Sequence, residues 1–401
     1  MELAMNPVKI IDRPCGTGKT TSLLKSFEHD KKYIVIVPYL SEVTRVIGEA
    51  DCDFYEPVVE GETTTKISSL IQLAIEGKNI ATTHKMFESL VSVCRKGYLK
   101  EYHLVIDEVP DPVKVAYQLS KASLNEIYLG GGYIQVDYTG LVSTSEKWQI
   151  KQFEFNDTLS PKLMNQAATG CLYLSENQYF LLCMPSELLT SCQTTTILTY
   201  KSEGSILCKY LDKEGIPYVV DSSVIAEEEF RSKARELISI NSLTTALTSF
   251  KWSHSKQALF SKTDCDKVKV GLKNLRSTKL VGVDQKDILF TCRKSLWFDE
   301  YKGPKIKNGS RINNANWVSN TTRGTNLYSH CSHAIYLYDQ NVNPVVARWL
   351  GIKDLSSFND NYALTELIQW LYRSRVRKGE PIDVYFASDR MKSILMNWLG
   401  Y

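Results

Sequence analysis

The chain has 401 residues, of which 43% are hydrophobic and 23% charged, and its formal net charge is +3 at pH 7. This length allows two domains with separate cores, and the composition excludes a disordered chain. No apolar run reaches the eighteen or so residues of a membrane span, and residues 1–7 do not resemble a signal peptide. We therefore expect a cytoplasmic protein with no membrane partner.

The charge is distributed unevenly along the chain. Residues 1–200 hold 18 Lys+Arg against 24 Asp+Glu, and residues 201–401 hold 30 against 21, so the two halves carry −6 and +9. A basic second half is compatible with a polyanionic partner, and equally with a solvated basic surface. The ten cysteines form no C-x-x-C pair, which favours reduced thiols over a zinc ribbon or a disulfide framework.

A glycine-bearing loop follows the first predicted strand, Val8–Ile11, and leads into a predicted helix near Ser22. Glycine lets several backbone N–H groups approach one polyphosphate, a lysine neutralises its charge, and a threonine hydroxyl can ligate Mg²⁺. The pattern predicts a P-loop, with a departure at Arg13, where the full pattern has glycine. The residues predicted to bind ATP are Pro14, Cys15, Gly16, Thr17, Gly18, Lys19, Thr20 and Thr21, and Thr20 is also a predicted metal ligand.

The next two predicted strands end in side chains that can contact a ligand. The first runs from Lys31 to Leu40, is closed by proline and carries Pro38 and Tyr39 at its C-terminal end, and the second spans 79–87 and carries Thr82, Thr83 and His84. Ligands of open α/β sheets gather at the carboxyl ends of the strands. Helices are predicted after the first strand, at about 41–47 and 67–76.

An apolar stretch beginning at Tyr102 predicts another strand, which ends in the adjacent carboxylates Asp107 and Glu108. One carboxylate can hold the Mg²⁺ shell while the other orients or deprotonates an attacking water. Asp107 is predicted to take the metal role and Glu108 the catalytic one. Lys19 and this pair would then form one ATP site.

An insertion is predicted between Glu108 and the next strand, 194–200, because about 85 residues separate them. The alternating segment from Tyr133 through Tyr138 to Phe155 predicts a hairpin or a small sheet. Its aromatic side chains would either stack on bases or pack in a core.

The second half continues the alternation of helices and strands. Helices are predicted at 227–238, 264–279 and 389–399, and strands at 216–220, 287–291, 334–338 and 381–386. A further helix is predicted over 362–378, which would place Gln369, Arg373 and Arg377 on one face, because they are spaced four residues apart.

These segments resemble the conserved motifs of superfamily 2 DNA and RNA helicases of the DEAD- and DEAH-like kind, particularly compact forms from large phages. The stretches GTGKT at 16–20, VPYLSEV at 37–43, ATTHKMF at 81–87, DEVP at 107–110 and ILTY at 197–200 resemble motifs I, Ia, Ib, II and III. Residues 287–291, 321–327 and 369–377 resemble motifs IV, V and VI. Pro110, Asn326 and Tyr372 depart from the usual Asp or His, Asp and Gly.

The resemblance implies two tandem RecA-like P-loop domains of the α/β class, at 1–200 and 201–401, with a small β-containing insertion at about 111–193. It implies an ATP-dependent helicase or translocase that uses ATP and Mg²⁺, with Gln369 at the nucleotide and Lys19, Glu108, Arg373 and Arg377 as catalytic residues. Single-stranded or duplex DNA is preferred over RNA, and the predicted contacts are Pro38, Tyr39, Thr82, Thr83, His84, Thr291, Thr325 and Asn326.

Two other functions stay open at this point. A phage DNA-packaging ATPase shares the P-loop and the acidic pair, although it would carry a carboxylate-rich nuclease in the second half. A module that uses ATP only as a switch would bind nucleic acid, or a replication or host protein, without unwinding.

Overall fold

The computed structural model describes residues 6–59, 65–149, 160–322 and 324–401. All ten cysteines lie in these ranges, and all are free. Across the same ranges, no helix combines the length and the apolar character needed to cross a membrane. Arg323 of the predicted motif V and residues 150–155 of the predicted hairpin region lie outside the described residues.

The first part of the chain alternates strands with helices. Its central strand, β2, is a continuous apolar run with five consecutive buried residues, as expected for a parallel strand covered on both faces. The elements are β1 (Val8–Asp12), α1 (Lys19–Leu24), β2 (Lys32–Val37), α2 (Leu40–Glu49), β3 (Phe54–Tyr55), α3 (Lys66–Ile75), β4 (Asn79–Thr83), α4 (His84–Phe87), α5 (Leu90–Arg95) and β5 (Tyr102–Asp107). The strand predicted over 79–87 therefore ends at Thr83, and His84 begins a helix.

The predicted insertion is present and has its own small core. Its elements are β6 (Val113–Gln118), a π-helical segment (Ser123–Leu129), β7 (Ile134–Val136), β8 (Val142–Thr144), α6 (Glu146–Gln149), α7 (Ser160–Ala168), β9 (Leu172–Ser175), β10 (Tyr179–Cys183) and α8 (Glu187–Thr190). Strands β6, β10 and β9 form an antiparallel sheet in that order, and β7 pairs with β8 as a hairpin. Of the aromatic residues predicted there, Tyr133 is buried and Tyr138 is fully exposed.

The chain then returns to the first sheet through β11 (Thr194–Thr199), α9 (Ile206–Glu214) and β12 (Tyr218–Ser222). The sheet is parallel throughout, with the order β12-β1-β11-β5-β2-β4-β3. The division predicted after Tyr200 assigned β12 to the second domain, whereas β12 pairs with β1 at the edge of the first sheet. We therefore place the division between the domains after Ser222.

The rest of the chain builds a second parallel sheet in the order β13-β17-β16-β14-β15. Its elements are α10 (Val224–Leu237), β13 (Ile238–Ser242), α11 (Thr245–Thr248), α12 (His254–Gln257), α13 (Lys262–Thr278), β14 (Ile288–Thr291), α14 (Lys294–Trp297), β15 (Asn316–Trp317), β16 (His333–Tyr336), α15 (Pro344–Trp349), α16 (Leu355–Leu371), β17 (Ile382–Phe386) and α17 (Asp389–Leu399). Two parallel sheets with alternating helices confirm the predicted fold class of tandem RecA-like α/β domains.

The helix predicted over 362–378 ends earlier, at Leu371. The backbone N–H groups of Arg373 and Ser374 donate to carbonyls three residues back, and a 3₁₀ turn from Arg375 to Lys378 follows. Gly379 closes this turn with a φ of 79°. Gln369, Arg373 and Arg377 therefore do not share one helix face, because the backbone tightens after Leu371.

The two domains share one buried cluster at their junction. Val345 and Val346 of α15 and Phe358 of α16 belong to the same core as Leu207 and Leu211 of α9. The insertion also contacts α15, because the Trp349 ring packs against Tyr173 with 5.6 Å between centroids. These contacts fix the second sheet against both the first sheet and the insertion.

Candidate functional site

A cleft between the domains lies at the carboxyl ends of the strands of the first sheet. The first domain contributes the P-loop, the acidic pair, Pro38 and two residues of α2, and the second contributes residues that precede β16 and follow α16. Its lining consists of residues 15–21, Pro38, Glu42, Arg45, Asp107 and Glu108 from the first domain, and Gly324, Asn326, Arg373 and Arg377 from the second. The cleft thus unites segments that are far apart in sequence.

The loop from Cys15 to Lys19 has the backbone form that its glycines predict. Gly16 and Gly18 have φ angles of 80° and 75°, in the left-handed region that favours glycine. The Thr17 hydroxyl donates to the Pro14 carbonyl at 2.9 Å, which closes the loop on itself. Arg377 lies against this loop, since a Cβ built on Gly16 would be 4.0 Å from its Cγ.

Lys19 is held at the base of the cleft by two backbone carbonyls. Its Nζ donates to the oxygens of Arg13 at 2.7 Å and of Thr199 at 2.9 Å. Both acceptors are uncharged, so these bonds orient the ammonium group without neutralising it. The lysine is therefore positioned to attract a phosphate.

Asp107 and Thr20 form an oxygen pair suited to a small divalent cation. The Thr20 hydroxyl donates to Asp107 Oδ2 at 2.8 Å. Burial, together with the neighbouring Glu108 carboxylate, raises the pKa of Asp107 to about 6. Among the described residues no group of three or more His, Cys, Asp or Glu is placed to hold a metal. This donor set fits Mg²⁺, which commonly takes one or two protein oxygens and completes its shell with phosphate and water.

Glu108 is joined to the second domain by a buried ion pair. Arg373 Nη2 lies 3.1 Å from Glu108 Oε1, and the Arg373 side chain is only 2% exposed. Burial lowers the pKa of Arg373, but the Glu108 carboxylate together with Cys15 and Tyr39 holds the pKa above its ordinary value. Glu108 also has a φ of 56°, a strained value for a residue with a Cβ. The pair places a charged group of each domain at the same point of the cleft.

The departure at Arg13 has a structural explanation. Its guanidinium donates from Nη1 to the Asp221 carbonyl and from Nη2 to Asp221 Oδ1, both at 2.6 Å. Asp221 belongs to β12, so Arg13 ties the start of the P-loop to the edge strand. The preceding Asp12 accepts hydrogen bonds from the backbone of Lys201 and from Ser202. Both side chains anchor the loop from behind, outside the cleft.

Two residues predicted at the nucleotide lie elsewhere. Pro14 lines a separate cavity next to Ser202, on the other side of the P-loop. Gln369 is 4% exposed and does not line the cleft. Gln369 lies within α16, whose residues from Thr365 to Leu371 are all buried, so its side chain is kept inside the second domain.

The eight residues predicted to contact nucleic acid do not form one surface. Pro38 and Asn326 line the cleft, and a Cβ built on Gly324 would lie 2.5 Å from Pro38 Cγ. Thr82 and Thr291 are 2% and 0% exposed, and Thr325 is 8% exposed. A nucleic-acid strand in solvent cannot reach hydroxyls that are this deeply buried. Thr82 and Thr291 therefore cannot contact nucleic acid in this structure.

The other three predicted contacts differ among themselves. Tyr39 is 40% exposed beside the cleft. Thr83 is partly exposed and precedes α4. His84 has its Nε2 3.0 Å from the Asp107 carbonyl, so it supports the end of β5. Of the three, Tyr39 is the most accessible to a strand.

A larger groove of about 1060 Å³ lies at the carboxyl ends of β14 and β16 in the second domain. It combines two cations, Arg293 and Lys294, with the aromatic side chains of Tyr301, Trp317 and Tyr338. Many neutral hydrogen-bonding side chains complete it, including Ser253, Ser255, Ser295, Ser319, Asn320, Thr321, Asn341, Asn343 and Asn359. Hydroxyl, amide and cationic groups are those that contact phosphate and sugar. The signal available in the sequence was the position of Arg293 and Lys294 shortly after β14, next to Thr291.

Two comparisons of sequence identify relatives of this chain. A family model described as the YonV C-terminal Rossmann-like domain matches residues 232–399. The SPbeta prophage-derived uncharacterized protein YonV of Bacillus subtilis (strain 168) is 27% identical over 413 residues, covering 98% of this chain and 99% of that protein. The second domain is thus similar to a Rossmann-like domain, and the similarity to YonV extends over nearly the whole chain.

Solved structures share the architecture. A structure described as XPD_APO matches with a TM-score of 0.51 and 15% identity, covering 98% of this chain and 95% of that one. Xpd4 of S. tokodaii matches with a TM-score of 0.44 and 11% identity, covering 98% and 94%. At such identities the first match shows the fold alone, and the second adds no argument. The chain therefore shares the fold of the structure described as XPD_APO, with two α/β domains.

Proposed function

We propose that this chain is an ATP-dependent helicase or translocase that acts on nucleic acid, with DNA preferred over RNA. One observation carries the proposal. The cleft brings the P-loop lysine, the Thr20–Asp107 pair, Glu108 and two arginines of the second domain together. A site that hydrolyses ATP needs these groups, whereas a site that only binds nucleotide would not need the arginines.

Each residue has a distinct task in this proposal. Lys19 holds the phosphates, and Thr20 with Asp107 holds Mg²⁺. Bound Mg²⁺–ATP supplies the phosphoanhydride bond whose hydrolysis releases free energy. Glu108 accepts a proton from the attacking water, and Arg377 stabilises negative charge beside the P-loop. Arg373 pairs with Glu108 at 3.1 Å, which holds the carboxylate in place and favours its ionised form.

Coupling between the cleft and the groove is proposed to run through one short segment of the second domain. Ser319, Asn320 and Thr321 line the groove, while Gly324 and Asn326 line the cleft. Gly324 also approaches Pro38 of the first domain closely. A nucleic-acid strand bound in the groove would therefore favour the interdomain contacts that complete the ATP site.

A second candidate is an ATP-switched module that binds nucleic acid or a protein without unwinding. It is favoured by the buried cluster that joins α9 to α15 and α16, because a large apolar contact limits domain separation. A strand-displacement assay on DNA and RNA duplexes separates the candidates. Unwinding that requires ATP and is lost in Lys19→Ala supports the helicase, and tight binding without displacement or translocation supports the switch.

The groove gives a quantitative expectation for binding. The logarithm of affinity for a single strand should fall with the logarithm of salt concentration, with a slope of about −0.7 per phosphate neutralised, whatever the base sequence. Arg293→Ala and Lys294→Ala should each make that slope shallower by about 0.7, because each removes one cation at the groove. Lys279→Ala is the matched control, since this exposed lysine follows α13 and does not line the groove. Unchanged slopes in both groove variants would place the strand elsewhere.

A further inference from the structure

The hairpin β7–β8 of the insertion displays Tyr138 at its turn. The Gly140 N–H donates to the Asp137 carbonyl at 3.0 Å, and the Asp137 N–H donates to Leu141 at 3.1 Å. Aspartate at the first turn position and glycine at the fourth, here with a φ of 90°, are the residues that a type I turn with a left-handed closing position favours. The turn therefore forms without any contribution from the Tyr138 side chain.

The turn is rigid on two counts. Asp137 Oδ1 accepts hydrogen bonds from the Thr139 N–H at 2.8 Å, the Thr139 hydroxyl at 2.6 Å and the Leu141 N–H at 2.9 Å. The Leu174 N–H donates to the Gly140 carbonyl at 2.7 Å, which fixes the turn to β9 of the insertion sheet. A Cβ on Gly140 would lie 2.8 Å from the Leu174 carbonyl oxygen, so this approach requires glycine. A side chain at the tip is consequently held in place.

Tyr138 stands out against this support. Its exposure is 100%, although Ile134 and Val142 in the same hairpin are buried. Within the described ranges, its side chain takes part in no hydrogen bond or ring contact. The Tyr138 ring is fully exposed to water, and the turn does not need it. The ring is therefore free to stack on an external planar group.

The insertion that carries the hairpin also contacts the second domain. An isolated bridge joins Leu141 to Tyr173, and the Tyr173 ring packs against Trp349 with 5.6 Å between centroids. Trp349 ends α15, and Pro344 at the start of that short helix lines the groove. The Tyr138 turn and the groove are therefore linked through one backbone bridge, one ring contact and one short helix.

We propose that Tyr138 is a stacking site for an unpaired nucleobase of the strand that occupies the groove, which rests on the proposed function. The groove supplies cationic and hydrogen-bonding contacts for the backbone, and the tip supplies an aromatic face for a base. Base stacking on an aromatic side chain tolerates every base, because each has a π face. The site would strengthen the grip on single strands without adding sequence preference.

The test compares binding of two single-stranded DNA oligonucleotides, one with bases and one of the same length that is abasic at most positions. Tyr138→Ala should weaken binding of the normal strand by about fivefold to a hundredfold and leave abasic binding unchanged. Tyr138→Trp should keep wild-type affinity. The salt slope of Tyr138→Ala should equal that of wild type, because no phosphate contact is removed. Tyr98→Ala is the control, as Tyr98 is 40% exposed on the loop before β5.

The possible outcomes separate this inference from the proposed function. If wild type binds the normal strand and Tyr138→Ala binds it equally well, the stacking site is refuted while the helicase proposal stands. An equal loss on abasic DNA would also refute it, since stacking needs a base. If wild type binds neither DNA nor RNA, both proposals fail together, and a protein partner becomes the remaining occupant of the hairpin tip.

Discussion

Arg377→Ala is expected to lower the turnover number for ATP by about a thousandfold or more while changing nucleotide affinity much less. Arg377 comes from the second domain and lines the cleft, and its Cγ lies beside Gly16 of the P-loop. An arginine in that position acts mainly on charge that develops during phosphoryl transfer, so its loss affects kcat. Steady-state ATPase kinetics and equilibrium binding of a non-hydrolysable ATP analogue measure the two effects separately.

Arg373→Ala should also slow turnover, but with a different signature. Arg373→Ala removes a buried cation that lies 3.1 Å from the Glu108 carboxylate, and a nearby positive charge favours the ionised form of a carboxylate. The base must be ionised to act, so the acidic limb of the kcat profile should move to higher pH. Arg377→Ala should leave that limb in place, since Arg377 is not the partner of Glu108.

Lys378→Ala is the matched control for both arginine variants. Lys378 is exposed, basic and adjacent to Arg377, but it does not line the cleft. It should retain wild-type turnover. Full activity in both Arg373→Ala and Arg377→Ala would remove the second domain from the ATP site.

Glu108→Gln is expected to keep ATP binding and to slow hydrolysis by roughly a hundredfold or more. Glutamine has a similar shape and can still accept a hydrogen bond from Arg373, but it cannot take a proton from water. Lys19→Ala should differ, because it removes the ammonium group held by the carbonyls of Arg13 and Thr199 and so weakens phosphate binding as well. Single-turnover hydrolysis beside nucleotide binding distinguishes the two variants.

Thermal unfolding is a necessary companion measurement for Glu108→Gln. Arg373 is 2% exposed, and loss of its charged partner leaves a buried cation without a counter-ion. A variant that unfolds near the assay temperature would mimic a catalytic defect, so hydrolysis should be measured well below its Tm. Glu108→Gln that stays folded and turns over at the wild-type rate would show that another group is the base.

Local patterns in the sequence were sufficient for much of the fold. The apolar runs of β2 and β5 and the glycines at 16 and 18 specify their structures through nearest neighbours, and the structure has them where they were predicted. Lys19 and the acidic pair were predicted to form one site, and both line the cleft. These features depend on few long-range details.

The features that could not be predicted depend on tertiary packing. Helical spacing predicted Arg373 and Arg377 on one helix face, but α16 ends at Leu371 and a 3₁₀ turn follows. Both arginines still line the cleft, although they do not share a helix. Thr82 and Thr291 follow the rule for strand ends, yet both lie in inner strands whose covering elements bury them. The pairing of β12 with β1 joins segments about 200 residues apart, which no local pattern reports.

The groove illustrates the same limit for function. Its lining comes from separate loops that begin near Ser253, Cys292, Ser319 and Asp339. No motif marked Arg293 and Lys294, because two adjacent basic residues are ordinary on a protein surface. Arg293 and Lys294 become candidate phosphate contacts only because the fold brings aromatic and amide side chains beside them in the groove.

The most direct test of the account is the steady-state ATPase rate at low salt with and without single-stranded DNA, single-stranded RNA and the matching duplexes. A strand in the groove should favour the arrangement of the cleft that hydrolyses ATP. The account predicts a rate that rises with added single strands, loses this rise in Arg293→Ala and Lys294→Ala, and is abolished in Lys19→Ala. A rate that stays flat across all four nucleic acids would contradict it.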